Sequence, residues 1–274
     1  MIALYKLTTD SDNSSTLQLR LTGSASWPGP PACGAAFPAS ARDDDLGGGP
    51  REFGLDAPIV GAAAIDGGGG GGGGIEEVGR FRAGDGSGLR HLVAHPAGRY
   101  LHVIMETANE LITYELDGET RQPRGEVSVL LLSRESLNRT SSWAAEVALS
   151  PSGRYLWASA RAHEASDVGY LSMFELDTNG AVVSAGRPGS GAGPWRKGPL
   201  FMVPTTTGDG IANSVSPAPW SDEFVTMTDF GAGYVQIWKM TTKMDGVMDG
   251  VGAAAVARID IPDGRCCANV IWYD

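Results

Sequence analysis

"HLVAHPAGRYLHVIMETANELITYELD", His91–Asp117, sets two apolar runs on either side of an HPAGRY corner and ends the second run on a single acid, Glu106. The alternation and the proline-glycine corner read as strand, turn, strand. An aromatic-bearing run, LITYELD, follows a short loop. The same order recurs in "EVALSPSGRYLWASARAHEASDVGYLSMFELD", where Pro151 stands 55 residues after Pro96. A third copy, "NSVSPAPWSDEFVTMTDFGAGYVQIWKM", surrounds Pro217, and a further run, EVSVLLLS, is available as a fourth strand of the first copy. Repeats of roughly 45 to 60 residues with four antiparallel strands each predict blades of an all-β propeller. A β-sandwich also has many short strands, but repetition at blade length disfavours it.

The amino-terminal part is patterned differently. Residues 1–74 hold "WPGPPACGAAFPASARDDDLGGG" and the eight glycines Gly67–Gly74, which carry a high ordering entropy and offer nothing to pack. These stretches read as loops or disorder, and only IALYKLTTD and TLQLRLTGSA read as a strand pair. The division is therefore 1–74, incomplete blades with low-complexity loops, and 75–274, well-patterned blades of the same propeller domain.

Charge and composition exclude several classes. A formal net charge of −11 offers no basic stripe for nucleic acid or an anionic membrane. No run of about 18 apolar residues occurs, and the first residues lack a secretion-signal pattern. Cys33 is isolated while Cys266 and Cys267 are adjacent, which is not a disulfide framework and fits a cytoplasmic setting. Histidines 91, 95, 102 and 163 lack zinc-ligand spacing, so no metal is expected. The oligomeric state is not legible.

The repeat register gathers candidate site residues. Tyr100 to Glu106 and Tyr155 to Arg161 are the same step after a GRY corner, so Glu106 and Arg161 are equivalent positions in adjacent blades. In an up-and-down blade the end of the second strand shares a face with the start of the first, which adds Arg90 to the group. Asp229 closes the corresponding strand of the third copy. Arg99 and Arg154, in the corners themselves, fall at the opposite end. A lone charged strand end is ordinarily a solvated loop residue. Three that converge, two of them planar guanidiniums, make an anion trap.

"LRHLVAHPAGRYLHVIMETANELITYELD", "SPSGRYLWASARA", "NSVSPAPWSDEFVTMTD" and the terminal "NVIWYD" resemble the lactonase-type seven-bladed propellers, and in the last two motifs the carboxymuconate-cyclase branch of that family. The resemblance covers about residues 75–274. It implies the intramolecular addition of a carboxylate to a double bond in protocatechuate catabolism, without metal or organic cofactor, on a small polycarboxylate substrate. It matches the family's site to Arg90, Glu106 and Arg161 as catalytic residues, with Arg90 and Arg161 also binding substrate. Two asparagines, Asn213 and Asn269, are expected to begin inner strands and line the axial channel, bonded either to substrate or to backbone.

The chemistry fits these residue types. Arginines offset the repulsion within a tricarboxylate and press one carboxylate against the alkene. The adjoining carbon then needs a proton, and two roles are open to Glu106: delivering that proton, or orienting an arginine. The chain departs from the family at two histidines. No "IHGMVFDP"-like motif precedes Ile75, and Ile211 stands where the family tends to carry a histidine. Three clear blades also fall short of seven, which is read as a truncated or mis-spliced gene model. Two functions are therefore carried forward: a muconate-cyclase-type lactonising enzyme, and an inactive propeller that binds an anionic metabolite or a protein.

Overall fold

The computed structural model describes residues 86–118, 123–131, 142–162, 167–183, 198–206, 212–241, 251–261 and 269–272, with the backbone of four strands before them. Gly67–Gly74, the three cysteines, His163 and Ile211 lie outside the described residues.

Those four strands form two hairpins: β1 (Ile2–Asp10) with β2 (Asn13–Ala25), and β3 (Ile59–Ile65) with β4 (Ile75–Arg82). The first pair was expected. The second adds IVGAAAI, whose alanines and glycine give little strand signal beside a glycine run.

Three four-stranded antiparallel sheets follow. The first runs β5 (Leu89–Ala94), β6 (Tyr100–Met105), β7 (Glu110–Leu116), β8 (Pro123–Leu131). The second runs β9 (Ser142–Leu149), β10 (Tyr155–Ala162), β11 (Tyr170–Glu175), β12 (Phe201–Pro204). The third runs β13 (Ala212–Pro217), β14 (Phe224–Asp229), β15 (Tyr234–Thr241), β16 (Gly252–Asp260). Each sheet is ordered as the chain runs, and the first strands meet: β9 packs against β5 on one side and β13 on the other. This is blade architecture, with β5, β9 and β13 at the inner edges.

Blade faces bury each other. Ile104 and Leu111 of the first blade pack with Ala144, Leu156, Ala158, Ala160 and Phe174 of the second. On the other face of the second blade, Trp157, Leu171 and Met173 meet Val215, Val225, Met227 and Trp238 of the third. Trp157 is fully buried and lies edge-on to Phe201, with centroids 5.7 Å apart. Alternation on the middle strands therefore divides the apolar side chains between two neighbouring blades, and both faces of a blade are core.

The corners repeat in detail. Gly98 N–H donates to His95 O at 2.8 Å and Gly153 N–H donates to Ser150 O at 2.9 Å. Both glycines have positive φ, 69° and 72°, which is why glycine occupies that place in HPAGRY and SPSGRY. Adjacent corners are also tied together. His95 Nε2 lies 3.2 Å from Gly153 O, and Asp222 accepts from Ser152 N–H at 3.1 Å and from its hydroxyl at 2.7 Å. Arg99 and Arg154 are exposed and pair with Glu115 and Glu175 of their own blades, as the register required.

Candidate active site

Glu106 is positioned by its backbone. Its N–H donates to Gly88 O at 2.5 Å, and its carbonyl accepts from Asn109 N–H and from Ala144 N–H of the second blade, each at 3.2 Å. The turn after β6 passes so close to Gly88 that a Cβ there would lie 2.3 Å from Thr107 Oγ1, and Gly88 has φ +67°. Glycine is required at that crossing. Glu106 thus stands at the boundary between two blades.

Both guanidiniums reach it there. Arg90, on β5, places Nη1 2.7 Å from Glu106 Oε1. Arg161, on β10, donates from Nη2 to the same oxygen. The three side chains are about equally recessed, at 21%, 18% and 20% exposure, so they are sheltered but reachable. Arg161 also lies over the Trp143 ring, 4.9 Å from its centroid, and the two residues are partners in the β9–β10 ladder.

Charge does not balance at this point. Two cations face one carboxylate, and the Nε of each arginine is buried without an acceptor among the described residues. Burial, together with the Arg90 charge, pushes the Arg161 guanidinium below its usual range, and Glu106 opposes that. An anion with several carboxylates would supply the missing negative charge.

A second pair adjoins the first. His91, next to Arg90 on β5, places Nδ1 3.2 Å from Oε1 of Glu146 on β9. Burial pushes the Glu146 carboxyl up to about 7, against the opposing pull of the Val147 N–H, 3.3 Å away, and of Arg90. Burial also lowers His91, with Arg90 acting the same way and Glu106 opposing. The contact has ion-pair geometry, but burial shifts both groups towards their neutral forms. His91 and Glu146 escaped the sequence argument because each sits inside a strand rather than at its end. The signal was present: they too are 55 residues apart and equivalent in the repeat.

The two expected asparagines differ in placement. Asn213 lies on the inner strand β13, but its side chain is outside the described residues. Asn269 does not begin a strand: it is exposed and outside the sheets. Instead the tail docks through Trp272, whose indole N–H donates to Ser216 O at 2.8 Å and whose ring meets Trp220 edge-on at 4.9 Å. This aromatic contact near the third corner takes the place of the inner strand expected to begin at Asn269. Asp229 is fully buried, and its carboxylate caps the following turn through Ala232 N–H at 3.0 Å. Among the described residues, no three His, Cys, Asp or Glu side chains are grouped to hold a metal ion.

Comparison with known proteins now separates fold from function. A family model described as "Lactonase, 7-bladed beta-propeller" matches residues 66–191. The chain belongs to the lactonase-type β-propeller family. A carboxy-cis,cis-muconate cyclase of Neurospora crassa is 32% identical over 208 residues, covering 73% of this lactonase-type chain and 51% of the relative. A protein from Lactobacillus plantarum superposes with a TM-score of 0.54 at 16% identity, over 76% of this chain and 51% of the other. A candidate 6-phosphogluconolactonase from Bacteroides uniformis gives 0.50 at 18% identity, over 79% and 52%. The two structural likenesses concern the fold alone. This lactonase-type chain spans about half the length of each of these relatives.

Proposed function

We propose that this chain is a lactonising enzyme whose substrate is a small unsaturated polycarboxylate of the carboxy-cis,cis-muconate type. One observation carries the reading: Arg90 and Arg161, from adjacent blades, converge on a single oxygen of Glu106 and leave a net positive site in a protein of net charge −11. The name of the Neurospora relative supports the substrate class.

The geometry supports the following mechanism. Arg90 and Arg161 bind two carboxylates of the substrate and bring a third against the alkene carbon. A carbon–oxygen bond forms, and the π pair moves to the neighbouring carbon, where an attached carboxyl group and the guanidiniums stabilise it. That carbon takes a proton, and the lactone leaves with one negative charge fewer than the substrate. Glu106 accepts from both guanidiniums, and this favours the orienting role: it fixes their separation and aim.

A folded sample incubated with carboxy-cis,cis-muconate is expected to remove the absorbance of the conjugated diene. No loss of absorbance from a folded, ligand-binding sample would leave the second reading, an anion-binding propeller without turnover. The observation favouring that alternative is Ile211 in the place where the family tends to carry a histidine.

A further inference from the structure

We propose that Glu146 is the proton donor of the lactonising step and that His91 is the positioning residue that holds it; this rests on the function proposed above. Three features of the structure assign the role.

The first is place. Arg90 and His91 are consecutive on β5, so the strand that anchors one cation of the anion site also presents the partner of Glu146. The second is recess. The Glu146 side chain is 15% exposed, which shelters it without closing it off from solvent. The third is the nature of its partner. Glu106 is engaged by two guanidiniums, whereas Glu146 meets a ring nitrogen that can either accept a proton or donate one. Only Glu146 is hydrogen-bonded in a way that suits both states of a general acid.

The surroundings agree. Facing the pair are Arg90 from β5 and, on the His91 side, Glu106 from the turn after β6, while β13 contributes no titratable residue. A carboxyl group raised to about 7 in that setting is protonated in a substantial share of molecules at neutral pH and can release that proton.

The step balances without a further reactant. The attacking carboxylate oxygen closes the ring, the displaced π pair takes the Glu146 proton, and a carbon–hydrogen bond replaces the oxygen–hydrogen bond. Glu146 is left ionised and hydrogen-bonded to His91, then regains a proton from water. One proton is consumed for each lactone formed.

The test uses the full chain with carboxy-cis,cis-muconate as probe. Wild-type kcat is expected to hold at low pH and to fall as pH rises through about 7, where Glu146 loses its proton. Glu146→Gln is expected to lower kcat at least about 100-fold, to change KM little, and to abolish that fall. Glu146→Asp keeps an acid at a longer reach and should keep the pH-dependent fall at a reduced rate. His91→Asn should move the midpoint of the fall without removing it. A folded Glu146→Gln protein with wild-type kcat and an unchanged pH profile overturns the assignment. A wild-type protein that neither binds nor converts the probe overturns instead the reading beneath it.

Discussion

Glu106 and Arg161 occupy the same step after their respective GRY corners, and they are ion-paired across the boundary between two blades. His91 and Glu146 are equivalent in the same way and form the adjoining pair. A repeat brings like positions of adjacent units to one place near the axis, so placing unlike side chains at those positions turns neighbours into partners. The corner pairs Arg99–Glu115 and Arg154–Glu175 behave differently: each stays within its own blade, and each is more exposed. Such surface pairs add little stability.

Removing the carboxylate that two arginines share should be felt twice. Glu106→Gln leaves both guanidiniums facing each other and is expected to destabilise the fold by about 1–3 kcal/mol, below the range for fully buried pairs because the site is partly open. Urea titration measures that loss, and the same variant should show reduced kcat with tricarboxylate affinity undiminished. Wild-type stability and kcat together would show that Glu106 does not organise the cations.

The tie between the first two corners predicts a suppressor. A Cβ on Gly180 would lie 2.3 Å from His95 Cγ, and Gly180 has φ +96°. Gly180→Ala should therefore lower the melting temperature strongly. His95→Gly, which removes both the ring and the Cβ that would lie 2.6 Å away, should recover part of the loss by removing the clash while the backbone strain at Gly180 remains. Simple additivity of the two changes in a thermal-melt cycle would contradict the packing described.

Acid should weaken the protein through His102. This imidazole is buried against Thr113, with Nδ1 3.0 Å from Oγ1, and burial, with His95 as a second cause, lowers it to about 4. The unfolded chain protonates near 6.5 while the folded one resists, so the stability due to neutral His102 is complete above 6.5. That contribution declines as pH falls towards 4, by up to about 3 kcal/mol. His102→Gln should flatten the pH dependence of urea stability across that window. An unchanged slope would assign the acid sensitivity to other groups.

Much of this was legible because repeats can be aligned within one chain. The order strand, corner, strand, aromatic strand located β5 to β7, β9 to β11 and β13 to β15, and the common step after GRY placed Glu106 beside Arg161. Outer and weakly patterned strands were harder. β16 carries GAAAV on a half-exposed edge, and β3 carries GAAA, so neither shows the β-branched alternation that marks an inner strand. Asn269 was misplaced because NVIWYD has strand composition, yet Trp272 finds its partners in Trp220 and a backbone carbonyl rather than in a ladder. Glu146 was hidden by its position within a strand, where an acid reads as an ordinary polar alternate.

The central claim is that Arg90 and Arg161 together hold a polycarboxylate. Calorimetric titration of carboxy-cis,cis-muconate into the wild type and into Arg161→Ala tests it most directly. The wild type should bind, and loss of this charge-assisted contact, worth about 2–3 kcal/mol, should weaken affinity by roughly 30- to 150-fold. Equal affinities for the two folded proteins would mean that the anion lies elsewhere and would contradict the account.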